Sequence, residues 1–569
     1  MSSDEDESSQ EQLSAKDIKN LKEELRKTKK ELNKYKQMNE ALDKTNHFFT
    51  KGLYLIIKEC KVNTEIIEYI AKASLSGNKY ASLILAFITE YQAKTKSDID
   101  CTCQLYKRAA EQGNPKGYSY WAGIYFNGTV VKKDYSKSFE LFTKAAEAGD
   151  SAGYHNIAAS YLFGYGVEKS YEKTIEYYIK ESEHGDYMGY QIVGDFYLKG
   201  EGVKQSYEKA IDYFTKAAAL GSPLSCRKLG RFYHKGDHVE KDLEKAFYYF
   251  EKGANLKDID CMSELADFYY VGLYVEKDIE KAAELYLKAA DGGNAGACYQ
   301  IGQFYQTGIG FGQINYSKAA YYYKKAEQQN DKLGTLQLAK FYQLGIGVDK
   351  KDIYEAKRLY HKAAELGESD GLYYVGKIFE VGNEGIEQSN KKAKEYYEMA
   401  AEKDNPLGLT ALGQMYEKGK ASALKNYKKA SECYQKAADL NHPEAIYYLG
   451  VLHKEGNGVK KDIKKAIDLF RRAGDLEHDV ACITLAEMYR KGKVVDKDSK
   501  KMMHYYHKSA DLGNIDACVA LGEIYENGKD PSKDFPKALS YYTKAYDRGR
   551  KSLDSKIKRL QKKIKWSQF

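Results

Sequence analysis

Residues 445–475 read AIYYLGVLHKEGNGVKKDIKKAIDLFRRAGD, and variants of this stretch recur along most of the 569-residue chain. Each copy has a glycine three positions after a tyrosine, except in two copies where Phe379 or His453 replaces the tyrosine. The twelve glycines follow one another at intervals of 36 or 37 residues: Gly128, Gly164, Gly200, Gly236, Gly272, Gly308, Gly345, Gly382, Gly419, Gly456, Gly492 and Gly528. A fixed period of this length predicts one supersecondary unit stacked many times instead of a single globular core.

Each unit is predicted to contain two helices, which we call helix A and helix B. In the copy at 189–222, Gly189, Val193 and Tyr197 are four residues apart and therefore lie on one face of helix A. Gly200 follows, and glycine tolerates the left-handed conformation that commonly ends a helix. Helix B then presents Phe214 and several alanines at helical spacing. The unit is therefore predicted to be a helical hairpin.

Two positions of the unit keep the same kind of residue in all twelve copies. Four residues before the main apolar residue of helix A the side chain is always small: Gly117, Gly153, Gly189, Ser225, Cys261, Ala297, Gly334, Gly371, Gly408, Ala445, Ala481 and Ala517. One position of helix B is always aromatic: Phe142, Tyr178, Phe214, Phe250, Tyr286, Tyr323, Tyr360, Tyr397, Tyr434, Phe470, Tyr506 and Tyr542. Small residues let helices approach closely, and we expect the rings to fill the space that they leave between neighbouring units. The excess of tyrosine (53 residues) is then mainly structural.

This order of residues resembles the Sel-1-like repeat family. Residues 334–367, GTLQLAKFYQLGIGVDKKDIYEAKRLYHKAAELG, show the resemblance as clearly as residues 445–475. It extends from about Pro115 to Gly549, and a degenerate copy ends in LYKRAAEQGN at 105–114. The resemblance implies an all-α fold, a right-handed α-α superhelix (solenoid) of about twelve or thirteen hairpins. The residues before the repeats predict in addition a coiled-coil-like helix. The resemblance also implies use as an adaptor, as in ER-associated degradation or the regulation of chitin synthase.

We expect six segments in the chain. They are an acidic disordered tail (1–15), a helix that can form a coiled coil (16–48), an N-terminal helical cap (49–78), a degenerate first repeat (79–114), twelve repeats (115–550) and a basic amphipathic helix (551–569). In the second segment, residues at steps of three and four form an apolar stripe: Ile18, Leu21, Leu25, Leu32, Tyr35, Asn39 and Leu42. The stripe predicts either a parallel homodimer, with Asn39 selecting a two-stranded register, or a single solvated helix.

The basic C-terminal segment has three interpretations, which are not exclusive. From 547 to 569 the chain has nine Lys or Arg against two Asp, whereas its total formal charge is +8. Leu553, Ile557, Leu560 and Ile564 share one helical face, which predicts a helix that caps the last repeat. The basic residues could instead contact an anionic membrane surface, with Trp566 at the interface, or serve as a nuclear-targeting or acidic-partner segment. The nearly balanced charge elsewhere argues against a specific nucleic-acid partner.

The sequence contains no evident catalytic, metal or cofactor site, so we predict that the protein is not an enzyme. Four of the nine cysteines share one apolar position of helix A: Cys226, Cys298, Cys482 and Cys518. We expect free buried thiols there, since equivalent positions of neighbouring units lie about 8–10 Å apart. An aspartate recurs near the start of helix B: Asp134, Asp242, Asp278, Asp352, Asp462, Asp498 and Asp534. Such repetition favours helix capping over acid–base catalysis.

The predicted function is that of a non-catalytic scaffold or adaptor for proteins or peptides, bound on the concave surface that helix A is expected to line. The candidate contact residues occupy variable positions of helix A: Arg227, Arg231, Tyr299, Lys340, Tyr373, Tyr374, Lys377, Tyr447 and Tyr448. Tyrosine and arginine commonly supply interface energy, although these rings could simply fill the interior of the superhelix. The alternative function is a regulatory subunit, recruited to a membrane or nuclear target through the basic C-terminal helix. With no signal peptide or membrane span in evidence, we expect a cytoplasmic protein, with the nucleus as an alternative.

Overall fold

The computed structural model describes residues 64–92, 96–128, 131–383, 385–420, 425–528 and 533–566. These residues form two compact units, the first ending at Glu276 and the second beginning at Lys277. The first unit contains α1 (Thr64–Leu75), α2 (Lys79–Gln92), α3 (Lys96–Glu111), α4 (Pro115–Asn127), α5 (Tyr135–Glu147), α6 (Ser151–Phe163), α7 (Tyr171–Glu183), α8 (Tyr187–Lys199), α9 (Tyr207–Ala219), α10 (Pro223–Lys235), α11 (Leu243–Asn255) and α12 (Ile259–Val271).

The second unit contains the remaining helices. They are α13 (Ile279–Asp291), α14 (Ala295–Thr307), α15 (Tyr316–Gln328), α16 (Lys332–Leu344), α17 (Ile353–Glu365), α18 (Asp370–Val381), α19 (Asn390–Ala401), α20 (Pro406–Lys418), α21 (Tyr427–Asp439), α22 (Pro443–Glu455), α23 (Ile463–Asp475), α24 (Asp479–Lys491), α25 (Ser499–Asp511), α26 (Ile515–Asn527), α27 (Phe535–Asp547), a 3-10 turn (Lys551–Leu553) and α28 (Asp554–Trp566). From α4 to α27, even-numbered helices are the A helices of the repeats and odd-numbered helices are the B helices.

Within each of the two compact units, every helix packs against the helix before it and the helix after it. The sequence-based prediction of an all-α solenoid built from consecutive hairpins is therefore confirmed. None of the described helices is both long and apolar enough to cross a membrane. The residues of the predicted acidic tail and coiled coil, including the stripe from Ile18 to Leu42, lie outside the described part of the chain.

The ends of the helices follow from the recurring aspartates and glycines. At the start of α11, the Asp242 side chain accepts a hydrogen bond from the backbone N–H of Lys245 at 2.9 Å. Loss of such an N-terminal cap typically costs about 1 kcal/mol. At the end of α8, Gly200 has a φ of 75° and its N–H donates to the carbonyl of Phe196 at 2.8 Å. The left-handed φ explains the glycine, since other residues adopt it only with strain. The capping function predicted for the aspartates is confirmed at Asp242.

The aromatic position of helix B packs first against its own hairpin. The Phe214 ring on α9 lies so close to Gly194 on α8 that a β-carbon at Gly194 would come within 2.7 Å of it. The same ring also faces Phe232 of the next hairpin, with 6.5 Å between ring centroids. The Phe214 ring therefore joins a glycine of its own helix A to the aromatic residue of the following helix A.

The space beside the small position of helix A is filled differently from the prediction. Gly153 on α6 approaches the main chain of the preceding α5, where a β-carbon would lie 2.5 Å from the nitrogen of Ala146 and 2.9 Å from the oxygen of Phe142. The expectation that the helix-B rings fill this space is therefore wrong. No space is left between the two repeats at Gly153, because the small residue lets two helical backbones come into direct contact.

The C-terminal helix packs on the last hairpin. Leu553 and Leu560 are 5% and 0% exposed, and Ile557 packs with them against the cluster that contains Tyr542. Three basic residues of this region form ion pairs with acids of α26: Arg550 with Asp516, Lys556 with Glu523 and Arg559 with Glu526. The apolar face of α28 thus covers α27, while part of its basic face is paired within the protein.

Candidate functional site

All nine candidate contact residues lie on A helices, and the side of each compact unit that its A helices form is here called the helix-A surface. In the first unit, Arg227 and Arg231 lie on α10 and both form ion pairs with acids of α12. Arg227 pairs with Asp260, and the Arg231 Nε lies 2.8 Å from Glu264 Oε1. The charges of these arginines are therefore largely matched by the neighbouring repeat, and their first function is to connect two A helices.

In the second unit, three candidates are not members of the tyrosine pairs. Tyr299 on α14 accepts a hydrogen bond from Gln303 Nε2 at 2.6 Å. Lys340 on α16 places its Nζ 5.0 Å from the centroid of the Tyr374 ring, which is a cation–π contact. Lys377 on α18 pairs with Glu380 at 3.1 Å, and its side chain remains 45% exposed. Of these three, only Lys340 is brought onto another candidate residue.

The two tyrosine pairs have nearly the same surroundings, although one hairpin separates them. Tyr373 and Tyr374 on α18 lie 5.1 Å apart between ring centroids, and Tyr374 stacks on Tyr360 of the preceding B helix at 5.0 Å. On α22, Tyr447 and Tyr448 are 5.5 Å apart, and Tyr448 stacks on Tyr434 at 5.3 Å. All four candidate tyrosines are partly buried. The helix-A surface thus contains two copies of one aromatic arrangement.

Acidic and amide side chains beside these tyrosines were not among the candidates from sequence. Gln414 on α20 donates from Nε2 to Glu444 Oε1 on α22 at 3.0 Å. Asn405, which caps α20, donates from Nδ2 to Asp370 Oδ1 on α18 at 2.7 Å. Within the described residues neither Asp370 nor Glu444 belongs to an ion pair. The recurrence of an acid three residues before each tyrosine pair was the signal that could have revealed them.

Charged side chains of α18 and α22 affect the same titratable groups, although one hairpin separates the two helices. Burial raises the pKa of Tyr373 to about 12, and the negative charges of Glu444 and Asp370 add to that rise. Burial also lowers the pKa of the His442 imidazole, while Glu444 and Asp370 act in the opposite sense. The same pattern holds at His478, where Asp479 and Glu444 oppose the effect of burial. Acidic side chains therefore act on the aromatic and histidine side chains here, and the depressed histidine pKa values favour neutral imidazoles near pH 7.

The cysteines have the environment expected of packing residues. Cys226 and Cys482 are fully buried, and burial raises the pKa of each thiol to about 11. The cysteines that the structure describes are all free of disulfide bonds. Across the described ranges, no three His, Cys, Asp or Glu side chains come together in a way that could hold a metal ion.

Comparisons with known proteins agree with this architecture. The Sel1 repeat matches thirteen consecutive segments between residues 96 and 549. The chain is similar to c5321, a protective antigen of uropathogenic Escherichia coli strains that displays an SLR fold, with 25% identity over 81% of this chain and 97% of that one and a TM-score of 0.62. A Sel1 repeat protein from Oxalobacter formigenes is 24% identical over 57% of this chain and 93% of that one, with a TM-score of 0.43. No curated protein sequence matches the chain. With its stacked hairpins and with repeats matched over most of its length, the chain belongs to the Sel1 repeat family.

Proposed function

We propose that this protein is a non-catalytic scaffold that binds partner proteins on its helix-A surface. The observation that carries the proposal is the duplicated tyrosine arrangement at Tyr373/Tyr374 and Tyr447/Tyr448, which lies on the variable side of helix A and remains partly exposed. Aromatic side chains that are held rigidly and are partly accessible bind partners at little entropic cost. Proteins built from helical repeats generally present such an extended surface for protein interactions.

The polar chemistry of the repeats supports a scaffold more than an enzyme. The recurring aspartates at the start of helix B are occupied as helix caps, as Asp242 is by the N–H of Lys245. Thiols with a pKa near 11, as at Cys226, contain very little thiolate at neutral pH and are poor nucleophiles. Residues used for capping and packing in one repeat after another do not make the single constellation that catalysis requires.

The alternative function, that of a regulatory subunit recruited to a membrane or nuclear target through its basic C-terminal helix, has weaker support. Leu560 and Ile557 of α28 are used in packing on the last hairpin, so a membrane surface could reach its apolar face only if the helix detached. Arg550, Lys556 and Arg559 are already paired with acids of α26. Both observations favour a capping function for α28, with partners recruited elsewhere.

The proposal can be tested by quantitative affinity purification of full-length protein. One variant combines Tyr373→Ala and Tyr447→Ala on helix A. The matched control combines Tyr321→Ala and Tyr354→Ala, which are 57% exposed tyrosines of two B helices. We expect the first variant to lose specific partner proteins and the control to retain them, provided that far-ultraviolet circular dichroism shows both to be folded. Recovery of the same proteins with both variants would refute a helix-A binding surface.

A further inference from the structure

One contact between neighbouring hairpins is made by a phenyl ring in some repeats. The ring belongs to the residue five positions after the cap of helix B, and it packs on the tyrosine near the end of the next helix A. Phe139 on α5 lies 5.6 Å from Tyr161 on α6 between ring centroids. Phe247 on α11 lies 5.8 Å from Tyr269 on α12. In these repeats the preceding B helix covers the tyrosine with a ring.

Alanine replaces this phenylalanine in two repeats, and the first of them has a ring from another source. Ala283 on α13 has no ring, and Phe311 of the loop after α14 stacks on Tyr305 instead, with 4.2 Å between centroids. A β-carbon at Gly310 would lie 3.1 Å from the β-carbon of Ala283, so the loop closes directly over the alanine. The tyrosine of this repeat is therefore covered as well.

The second alanine, Ala320 on α15, is not compensated in this way. The loop after α14 reads GIGFGQIN at 308–315, and the loop of equal length after α16 reads GIGVDKKD at 345–352. Val348 therefore stands at the position that Phe311 has in the preceding repeat. Neither of the two positions that supply a ring elsewhere supplies one to this contact.

A cavity of about 450 Å³ lies between α15, α16 and the loop that follows α16. Ala320 and Leu338 line it and are only 6% and 3% exposed, so they form its base. The rings of Tyr321 and Tyr342 line it as well, together with Val348. Within the described residues, no other ring stacks on Tyr342 and no cation lies over its ring. The cavity thus has an apolar base and aromatic walls, and it adjoins an alanine and a tyrosine at the positions where other repeats pack a phenylalanine on a tyrosine.

The charges at the rim of the cavity are predominantly positive. Lys324 and Asp349 line the cavity, and Lys350 and Lys351 follow in the same loop. All four residues are exposed, and across the described ranges none of them belongs to an ion pair. The next acid, Asp352, is used as the cap of α17. Three lysines against one free carboxylate favour an acidic partner.

We infer that this cavity binds an aromatic side chain, a phenylalanine flanked by acidic residues in a partner protein. The inference goes beyond the proposed helix-A surface, since none of the nine candidate contact residues lines the cavity. A phenyl ring suits the cavity because the chain itself places Phe139, Phe247 and Phe311 on the equivalent tyrosines. Contacts between aromatic rings add to the free energy of burying the phenyl group. Acidic neighbours of the phenylalanine would meet the lysines at the rim.

The probe is the acetylated peptide amide Gly-Ser-Glu-Phe-Glu-Ser-Gly, and its binding to full-length protein is measured by saturation-transfer difference NMR. We expect the phenyl protons to receive the most saturation, because the ring is the part that enters the cavity. In Ala320→Phe an internal ring fills the cavity, as Phe247 does at its own position, and Kd should rise about tenfold or more. Val348→Phe supplies the ring from the loop, as Phe311 does, and should have the same effect.

Two matched variants test the charges at the rim. Lys324→Gln removes a cation at the cavity and should raise Kd about twofold to fivefold. Lys464→Gln removes an exposed lysine from α23, changes the net charge equally and should leave Kd unchanged. Equal effects of the two substitutions would show non-specific attraction and overturn the inferred acidic partner.

Two further ligands decide what the cavity binds. A peptide with alanine in place of phenylalanine should lose most of its affinity, and equal binding of the two peptides would overturn the inference. Unchanged binding of the phenylalanine peptide to both filled variants would overturn it as well. Acetylphenylalanine amide should bind more weakly than the peptide, because it lacks the acidic neighbours. If it binds as tightly, the cavity is a site for small aromatic molecules and a protein partner is excluded there.

Failure of this inference can be distinguished from failure of the proposed helix-A surface. The variant Tyr373→Ala/Tyr447→Ala leaves the cavity unchanged and should bind the peptide normally. A partner held at the cavity would be lost from the affinity purification with Tyr321→Ala, which removes one wall, and kept with the helix-A variant. An empty cavity would leave the scaffold proposal standing, whereas failure of that proposal would appear as unchanged partner recovery with the helix-A variant.

Discussion

The close contact between repeats at Gly153 makes a sharp prediction for the substitution Gly153→Ala. An added β-carbon would lie 2.5 Å from the nitrogen of Ala146 and 2.9 Å from both the α-carbon of Ala146 and the carbonyl oxygen of Phe142. Ordinary contacts begin at 3.4 Å, so the shortest of these distances is too small by about 0.9 Å. All three obstacles are main-chain atoms of α5, and they can move only if the helix moves.

The expected magnitude follows from two opposing effects. Overpacking of a well-filled interior costs about 1–3 kcal/mol, and a rigid backbone obstacle places Gly153→Ala in the upper part of this range. Replacement of a helical glycine by alanine contributes about 1 kcal/mol in the favourable direction. We therefore expect a net loss of about 1–2 kcal/mol in the free energy of unfolding.

Gly123 provides the matched control, since it lies inside α4 with nothing within 4 Å of its β-carbon position. Gly123→Ala should stabilise the protein by up to about 1 kcal/mol through helix propensity alone. Urea denaturation followed by circular dichroism measures both variants. Hydrogen exchange adds a local readout, in which faster exchange should be confined to α5 and α6 in Gly153→Ala. Stabilisation by both substitutions would refute the backbone contact between neighbouring repeats.

Three further predictions concern single contacts. Tyr434→Phe removes the hydrogen bond from the tyrosine hydroxyl to Glu417 at 2.7 Å, and we expect a loss of about 0.5–1.5 kcal/mol in urea denaturation; no loss would show that the bond is not formed. The hydrogen bond and charge of Glu181 raise the pKa of His155. We therefore expect Glu181→Gln to lower the His155 pKa in a histidine NMR titration. An unchanged titration would contradict the contact. Because the folded-state pKa of His155 is raised, its contribution to stability is fully present below the unfolded pKa and is lost as pH rises through the folded value. Leu560→Ala should cost about 2–5 kcal/mol if α28 is a tightly packed cap, whereas a change within error would mean that α28 does not stabilise the last hairpin.

Much of the architecture could be predicted from sequence because local rules determine it. Glycines such as Gly200 end the A helices, and aspartates such as Asp242 begin the B helices, so the helix boundaries depend on residues within a few positions. The neighbour of the small position could not be predicted in the same way. Whether Gly153 meets a ring or a backbone depends on how closely two repeats approach, and that distance results from the packing of both hairpins.

The candidate surface was only partly predictable for the same reason. Sequence variation on helix A indicated Tyr373 and Tyr447, and the structure places both in equivalent aromatic arrangements. The effect of Glu444 on Tyr373 was not foreseen, because 71 positions separate them and their proximity arises from stacking. Arg231 was also selected from its variable position on helix A, but its ion pair with Glu264 of the next repeat was not predicted, because that contact too depends on how the repeats stack.

Site-specific photo-crosslinking in cells tests the central claim, partner binding on the helix-A surface, most directly. A photoreactive amino acid replaces either Lys377 on helix A, whose side chain is 45% exposed, or Tyr354 on helix B, which is 57% exposed. The account predicts discrete partner adducts at position 377 that disappear in the Tyr373→Ala/Tyr447→Ala background, and no such adducts at position 354. Adducts at position 354 alone, or adducts at position 377 that persist in that background, would contradict it.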